Sequence, residues 1–177
     1  MPAAPGIYGI GNDGAVVELL PTLTNRTRLK GVFGMAFSFG IAHARALAYL
    51  AGPTAPVRLP PSGVFQFRFD PAASSFGRDT HAPTIAPIAT SPAEFALVRM
   101  DPAGTDRRFQ YGRYTLTTAQ NGPSAEQNVP FTIARTGAGL FEVTVQDARP
   151  GEYAWIWLGD LGHATSPLRV YAFGIDP

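Results

Sequence analysis

The chain has 177 residues, of which 45% are hydrophobic and only 15% charged, with a net charge of +1 and no cysteine. A chain of this length can bury roughly 70% of its unfolded surface without help from a disulfide or metal, and 12 Phe argue against disorder. The missing cysteine excludes disulfides, thiolate metal sites and cysteine nucleophiles, and the balanced charge argues against general nucleic-acid binding, which draws on a basic surplus.

The first ten residues lack the basic start and apolar centre of a signal peptide. Residues 6–10 and 15–20 read as two strands joined by Gly11-Asn12-Asp13-Gly14, whose Asn, Asp and Gly tolerate positive φ and so favour a hairpin. Arg26, Arg28 and Lys30 then precede an apolar run over residues 31–42. The run ends at His43 and Arg45, short of the ~20 residues a spanning helix needs, so no transmembrane segment is expected. Phe33, Met35, Phe37, Phe39 and Ile41 alternate as in a strand, but Phe33, Phe37, Ile41, Ala44 and Ala48 also fit a helical spacing, which leaves residues 42–51 open between strand and helix.

Val64 to Phe69 places three Phe on one face and two polar residues on the other. Residues 70–92, rich in Pro, Ser, Thr and Ala, read as a long loop. Residues 94–100, 107–117, 129–134 and 141–146 read as further strands, with a solvated turn around Asp101 and Asp106 and another over 136–140. Residues 170–174 form the closing strand. The 19 Gly and 17 Pro cut the whole chain into short pieces. The expected fold is therefore all-β: one domain over residues 1–177, a two-layer antiparallel sandwich of immunoglobulin-like or jelly-roll type with eight or nine strands.

Several segments, in order, carry a resemblance. They are Pro5-Gly6-Ile7-Tyr8 with Val17-Glu18-Leu19, Ser91 to Arg99, Val129-Pro130-Phe131-Thr132, Gly139 to Thr144, and Pro150-Gly151-Glu152-Tyr153-Ala154. Together they resemble a group of bacterial envelope or exported β-sandwich proteins. The last segment looks like the turn that feeds the final strand of many immunoglobulin-like modules. The resemblance implies a bacterial origin and a periplasmic or extracellular location, and it implies no activity.

Gly9-Ile10-Gly11-Asn12-Asp13-Gly14 matches the dinucleotide fingerprint G-x-G-x-x-G. That motif works only where a helix follows to meet the pyrophosphate, and here a β-branched run ends at Pro21. The histidines at 43, 81 and 163 share no metal-ligand spacing. Asn25-Arg26-Thr27 fits a glycosylation sequon, a chance match in a bacterial chain. Neither a cofactor nor a metal is expected, and no catalytic frame is recognisable.

The most informative strand is 153–158. Tyr153, Trp155 and Trp157 share one face; Ala154, Ile156 and Leu158 share the other, so both faces are apolar. Either a second layer covers one face, with residues 31–51 as the candidate cover, or the three rings form a ligand-binding platform. Three functions compete. The first is a non-enzymatic structural or protein-interaction module, with a protein partner or self-association. The second binds a carbohydrate or small ligand on Tyr153, Trp155 and Trp157. The third is a hydrolase assembled from Asp79, His81 and one of Ser74, Ser75 or Ser91.

Overall fold

The computed structural model describes residues 4–32, 43–70, 89–115, 118–146, 148–162 and 167–176. Fifteen strands run through them: β1 (Gly6–Ile10), β2 (Val16–Leu19), β3 (Thr22–Leu23), β4 (Arg26–Lys30), β5 (Ala44–Ala51), β6 (Arg58–Leu59), β7 (Val64–Arg68), β8 (Phe95–Ala103), β9 (Asp106–Tyr114), β10 (Ala119–Asn121), β11 (Asn128–Val129), β12 (Phe131–Gly137), β13 (Leu140–Val145), β14 (Gly151–Trp157) and β15 (Arg169–Ile175). The all-β expectation holds, but the count exceeds eight or nine. The additional strands are the two- and three-residue pieces, β4, whose charged residues mask its strand character, and β5, whose alanine-rich sequence fits strand and helix alike.

Two sheets form. A five-stranded sheet has the order β12-β13-β7-β1-β2. A ten-stranded sheet follows the path β3-β15-β14-β8-β9-β5-β4, with β6, β10 and β11 attached alongside. All the pairs are antiparallel except β6 with β15. The first core lies between the two sheets, where Phe65 and Phe67 of β7 meet Tyr153 and Trp155 of β14 and Phe173 of β15. This is the alternation read from the sequence: Phe65 and Phe67 are fully buried, and Phe69 is nearly so.

The ten-stranded sheet also folds over itself. β8 pairs with β14 along residues 95–100, then with β9 along 101–103. A two-residue turn, with Gly104 at a φ of 72°, starts β9. The β9-β5-β4 part thereby covers the back of β8, β14 and β15, and a second core fills the gap. It is built from Ala46, Ala48 and Leu50 of β5, Phe109 and Tyr111 of β9, Val98 and Met100 of β8, and Ala154 and Ile156 of β14. The alanines of β5 allow close approach of the backbones. Residues 44–51 are thus a strand, not a helix, and they cover one face of β14 as the sequence suggested. The face they cover is the Ala154/Ile156 face, while the aromatic face belongs to the first core. The alternating stretch from Phe33 to Ile41 lies outside the described residues.

Local chemistry explains the breaks. Gly11 to Ala15 close the first hairpin, where Gly11 N–H donates to the Ala15 carbonyl at 2.7 Å and Gly14 takes a φ of 76°. Pro130 splits the expected 129–134 strand. Residues 128–129 pair with β8 in the larger sheet, whereas β12 pairs with β13 in the smaller one. Proline has no N–H to continue a ladder, so the chain changes sheets there. Strand β12 also runs on to Gly137, beyond the expected end, and the turn is confined to Ala138 and Gly139.

Candidate functional site

Tyr153 and Trp155 do not form an exposed platform. They are 2% and 0% exposed, and Trp155 meets Phe65, Phe67 and Phe131 edge-on at centroid distances of 5.4, 5.1 and 4.9 Å. The Tyr153 hydroxyl donates to the Arg149 carbonyl at 2.6 Å. Trp157 is half-buried at the end of the strand, and its side chain donates to the Glu94 carboxylate. Leu158 leaves the strand altogether. It opens a 3-10 helix (Leu158–Gly162) and is exposed. The physical reason is the central position of β14: with a sheet on each side, every ring along it is used in packing.

Of the hydrolase candidates, Asp79, His81, Ser74 and Ser75 lie outside the described residues, as does His163. Ser91 caps the 3-10 helix Pro92–Glu94, accepting from Ala93 N–H at 3.2 Å. Among the described residues no group of three or more His, Asp or Glu side chains comes together as metal ligands. The expected turn before β9 is solvent-exposed at Asp101, Gly104 and Thr105, but the strand that follows it carries a buried charge. Arg107 is 3% exposed, donates to the carbonyls of Ala51 and Gly52, and lies 3.0 Å from Glu152. Glu152 also accepts from Ala55 N–H at 2.7 Å and pairs with Arg58, which reaches Asp176 at 2.6 Å. This network ties the β5–β6 connection to β14 and β15. All of its groups are paired, as a structural clamp requires.

The solvent-facing side of β4, β5, β9 and β10 is different. Its residues follow from strand alternation: Ala46, Ala48 and Leu50 point into the second core, so Arg45, Leu47 and Tyr49 point out. Register places Lys30 opposite Arg45, Arg45 opposite Arg113, and Arg113 opposite Gln120. Three cations therefore stand in one cross-strand row, where like charges destabilise a sheet. Arg26, Arg28, Lys30, Arg45, Arg108 and Arg113 together make up six of the 14 Lys and Arg residues. Arg26 is engaged by Asp106 at 2.9 Å and lies over the Tyr49 ring. Among the described residues, Arg28, Lys30, Arg45, Arg108 and Arg113 form no ion pair.

Three hollows, each open to solvent, run in series along this face. The largest, about 560 Å³, lies between Arg45, Gln110 and Arg113 on the sheet and residues 120–126 beside it. It shares Arg45, Gln110, Ser124 and Glu126 with a second of about 280 Å³, which extends to Lys30, Asp101 and Arg108. It shares Arg113 and Gln120 with a third of about 160 Å³ beside His43. The side wall is well ordered by hydrogen bonds. Gln127 accepts from Gln110 N–H at 2.8 Å and donates to Asp101 at 2.9 Å, and Gly122 N–H donates to the Tyr111 carbonyl at 2.9 Å. Guanidinium forks and side-chain amides suit the recognition of oxyanions and hydroxyls.

The chain matches no family model, no curated protein and no solved structure. Sequence reasoning missed this face. Its available signal was the alternation of Arg26, Arg28 and Lys30, which puts three cations on one side of a strand. The helices of the described residues include none long and apolar enough to cross a membrane.

Proposed function

We propose that the chain is a non-enzymatic binding module whose ligand is anionic and docks on the outer face of β4, β5, β9 and β10. The observation that carries this reading is the row Lys30, Arg45 and Arg113, three adjacent cations with no acidic partner among the described residues. Such a row costs folding stability, and a bound anion offsets the cost. A place in a bacterial envelope or exported assembly follows from the sequence resemblance and agrees with a binding role.

Titration calorimetry with dextran sulfate tests the proposal. The wild-type protein binds at low salt and loses affinity steeply as salt rises. The double variant Arg45→Ala/Arg113→Ala binds at least tenfold more weakly, with a melting temperature no lower than wild type. Absence of binding at low salt, or equal binding by the double variant, overturns the reading.

A second reading, self-association, is favoured by the edge of the smaller sheet. Residues 132–136 of β12 are all exposed, and Ile133 is 40% exposed. An edge of this kind accepts a strand from a second copy. Sedimentation of the wild type against Ile133→Lys separates dimer from monomer.

A further inference from the structure

We infer that the ligand is a linear acidic polysaccharide bearing uronate carboxylates, laid along β9; this rests on the anion-binding reading above. Shape is the first argument. The hollows adjoin one another from Arg108 to Thr115, a length of roughly 20 Å at ~3.3 Å per residue once the bulged Tyr111 is discounted. They are open to solvent along this course, so the trough suits an extended chain of several sugar rings better than a compact molecule.

The lining groups also suit such a chain. Arg108, Gln110 and Arg113 follow one another on β9, Arg45 and Gln120 flank Arg113 on the neighbouring strands, and Glu126 and the Gln127-bonded Asp101 add acceptors to the side wall. Arginine forks take carboxylates two oxygens at a time. Amides both donate and accept, as a ring hydroxyl does. A polymer that carries both carboxylates and hydroxyls presents the matching groups.

The lack of free aromatic and apolar anchors along the described trough separates this ligand from other polyanions. Single-stranded nucleic acid gains its affinity from bases stacked on free aromatic faces. Here Tyr49 is 4% exposed under Arg26, and Tyr114 packs against the second core while its hydroxyl bonds Asn121 at 3.2 Å. A protein partner needs an apolar or aromatic anchor. Leu47, on the outward side of β5, is 9% exposed and offers little.

The test uses galacturonate oligomers of two, four and six sugars, a neutral malto-oligosaccharide, a single-stranded oligonucleotide of equal charge, and dextran sulfate as the reference. The expected result is uronate affinity that rises at least tenfold from dimer to hexamer, no binding of the neutral oligomer, and weaker binding of the oligonucleotide. Gln120→Ala weakens the hexamer about fivefold and leaves dextran sulfate within twofold. If dextran sulfate binds but the hexamer does not, the polysaccharide assignment fails while the anion-binding reading stands. Equal affinity of dimer and hexamer overturns the extended mode. Tighter binding of the oligonucleotide replaces the polysaccharide with nucleic acid. Failure of dextran sulfate as well removes both readings.

Discussion

Glu152 stands directly opposite Gly174 in the β14–β15 ladder, and the side chain that Gly174 lacks is the space the Arg58 guanidinium occupies. A Cβ built on Gly174 would lie 1.7 Å from Arg58 Nη1. Arg58 crosses β15 through that gap to reach Glu152 on one side and Asp176 on the other. Gly174→Ala is therefore expected to displace Arg58 and to destabilise the protein by about 1–3 kcal/mol, the usual range for overfilling a packed site. Urea unfolding measures it. In an Arg58→Ala background the same change should cost much less, because the colliding group has gone.

Arg107 is the more consequential partner of Glu152. Its side chain is 4% exposed, and Glu152 is the carboxylate it meets, at 3.0 Å. Removing that carboxylate by Glu152→Ala leaves a buried guanidinium uncompensated, a change expected to cost about 3–5 kcal/mol. The double variant Arg107→Met/Glu152→Met removes both charges and should recover most of the loss. A double-mutant cycle in urea checks both statements.

The aromatic strand predicts a gradient. Trp155→Ala opens a cavity between the sheets and should cost ~3–5 kcal/mol. Trp157→Ala, at the half-buried end, loses a hydrogen bond to a carboxylate and should cost about 1–2 kcal/mol. Equal costs for the two would contradict their different depths.

Glu94 gives a pH dependence. Burial on its own raises its carboxyl, but the Thr90 and Ser91 N–H groups, the Thr90 hydroxyl and the Trp157 side chain all donate to it and hold it below the usual carboxylate range. The folded state thus binds this proton less readily than the unfolded chain. The stabilisation is complete above the unfolded carboxylate value of about 4.3 and is lost as pH falls through the folded one. Glu94→Gln should flatten the acid side of a stability–pH curve and leave its slope above pH ~6 unchanged.

The fold was readable where each strand has one wet and one dry face. The alternation of Phe65 and Phe67 against Gln66 and Arg68 is a local property that survives into the three-dimensional structure. Strand β14 announced two apolar faces, and both proved to be covered. The cover for each could not be assigned correctly, because that depends on how β8 carries β9 and β5 over the back of the sheet. Pro130 was visible, but its role as a crossing between sheets depends on which partners lie on either side. The trough was hidden for another reason. A net charge of +1 is a sum, and the sheet separates what the sum combines. Arg45 and Arg113 are 68 positions apart and become neighbours only through register.

That register contains one irregularity with a wide effect. Ala46 pairs with Gly112 and Leu47 with Gln110, so Tyr111 is an extra residue in β9. Side chains on a strand keep a strict parity, and an extra residue reverses it. Before Tyr111 the even-numbered positions Arg108 and Gln110 face solvent; after it the odd-numbered Arg113 does. Were Tyr111 paired in a regular ladder instead, Gly112 would stand opposite Arg45 and Arg113 opposite Ala44, which would turn Arg113 toward the second core and Tyr114 toward water. The chemistry of the whole outer wall is in this sense a matter of counting: the one residue that bulges out of the ladder decides whether the sheet presents a continuous line of cations or a broken one.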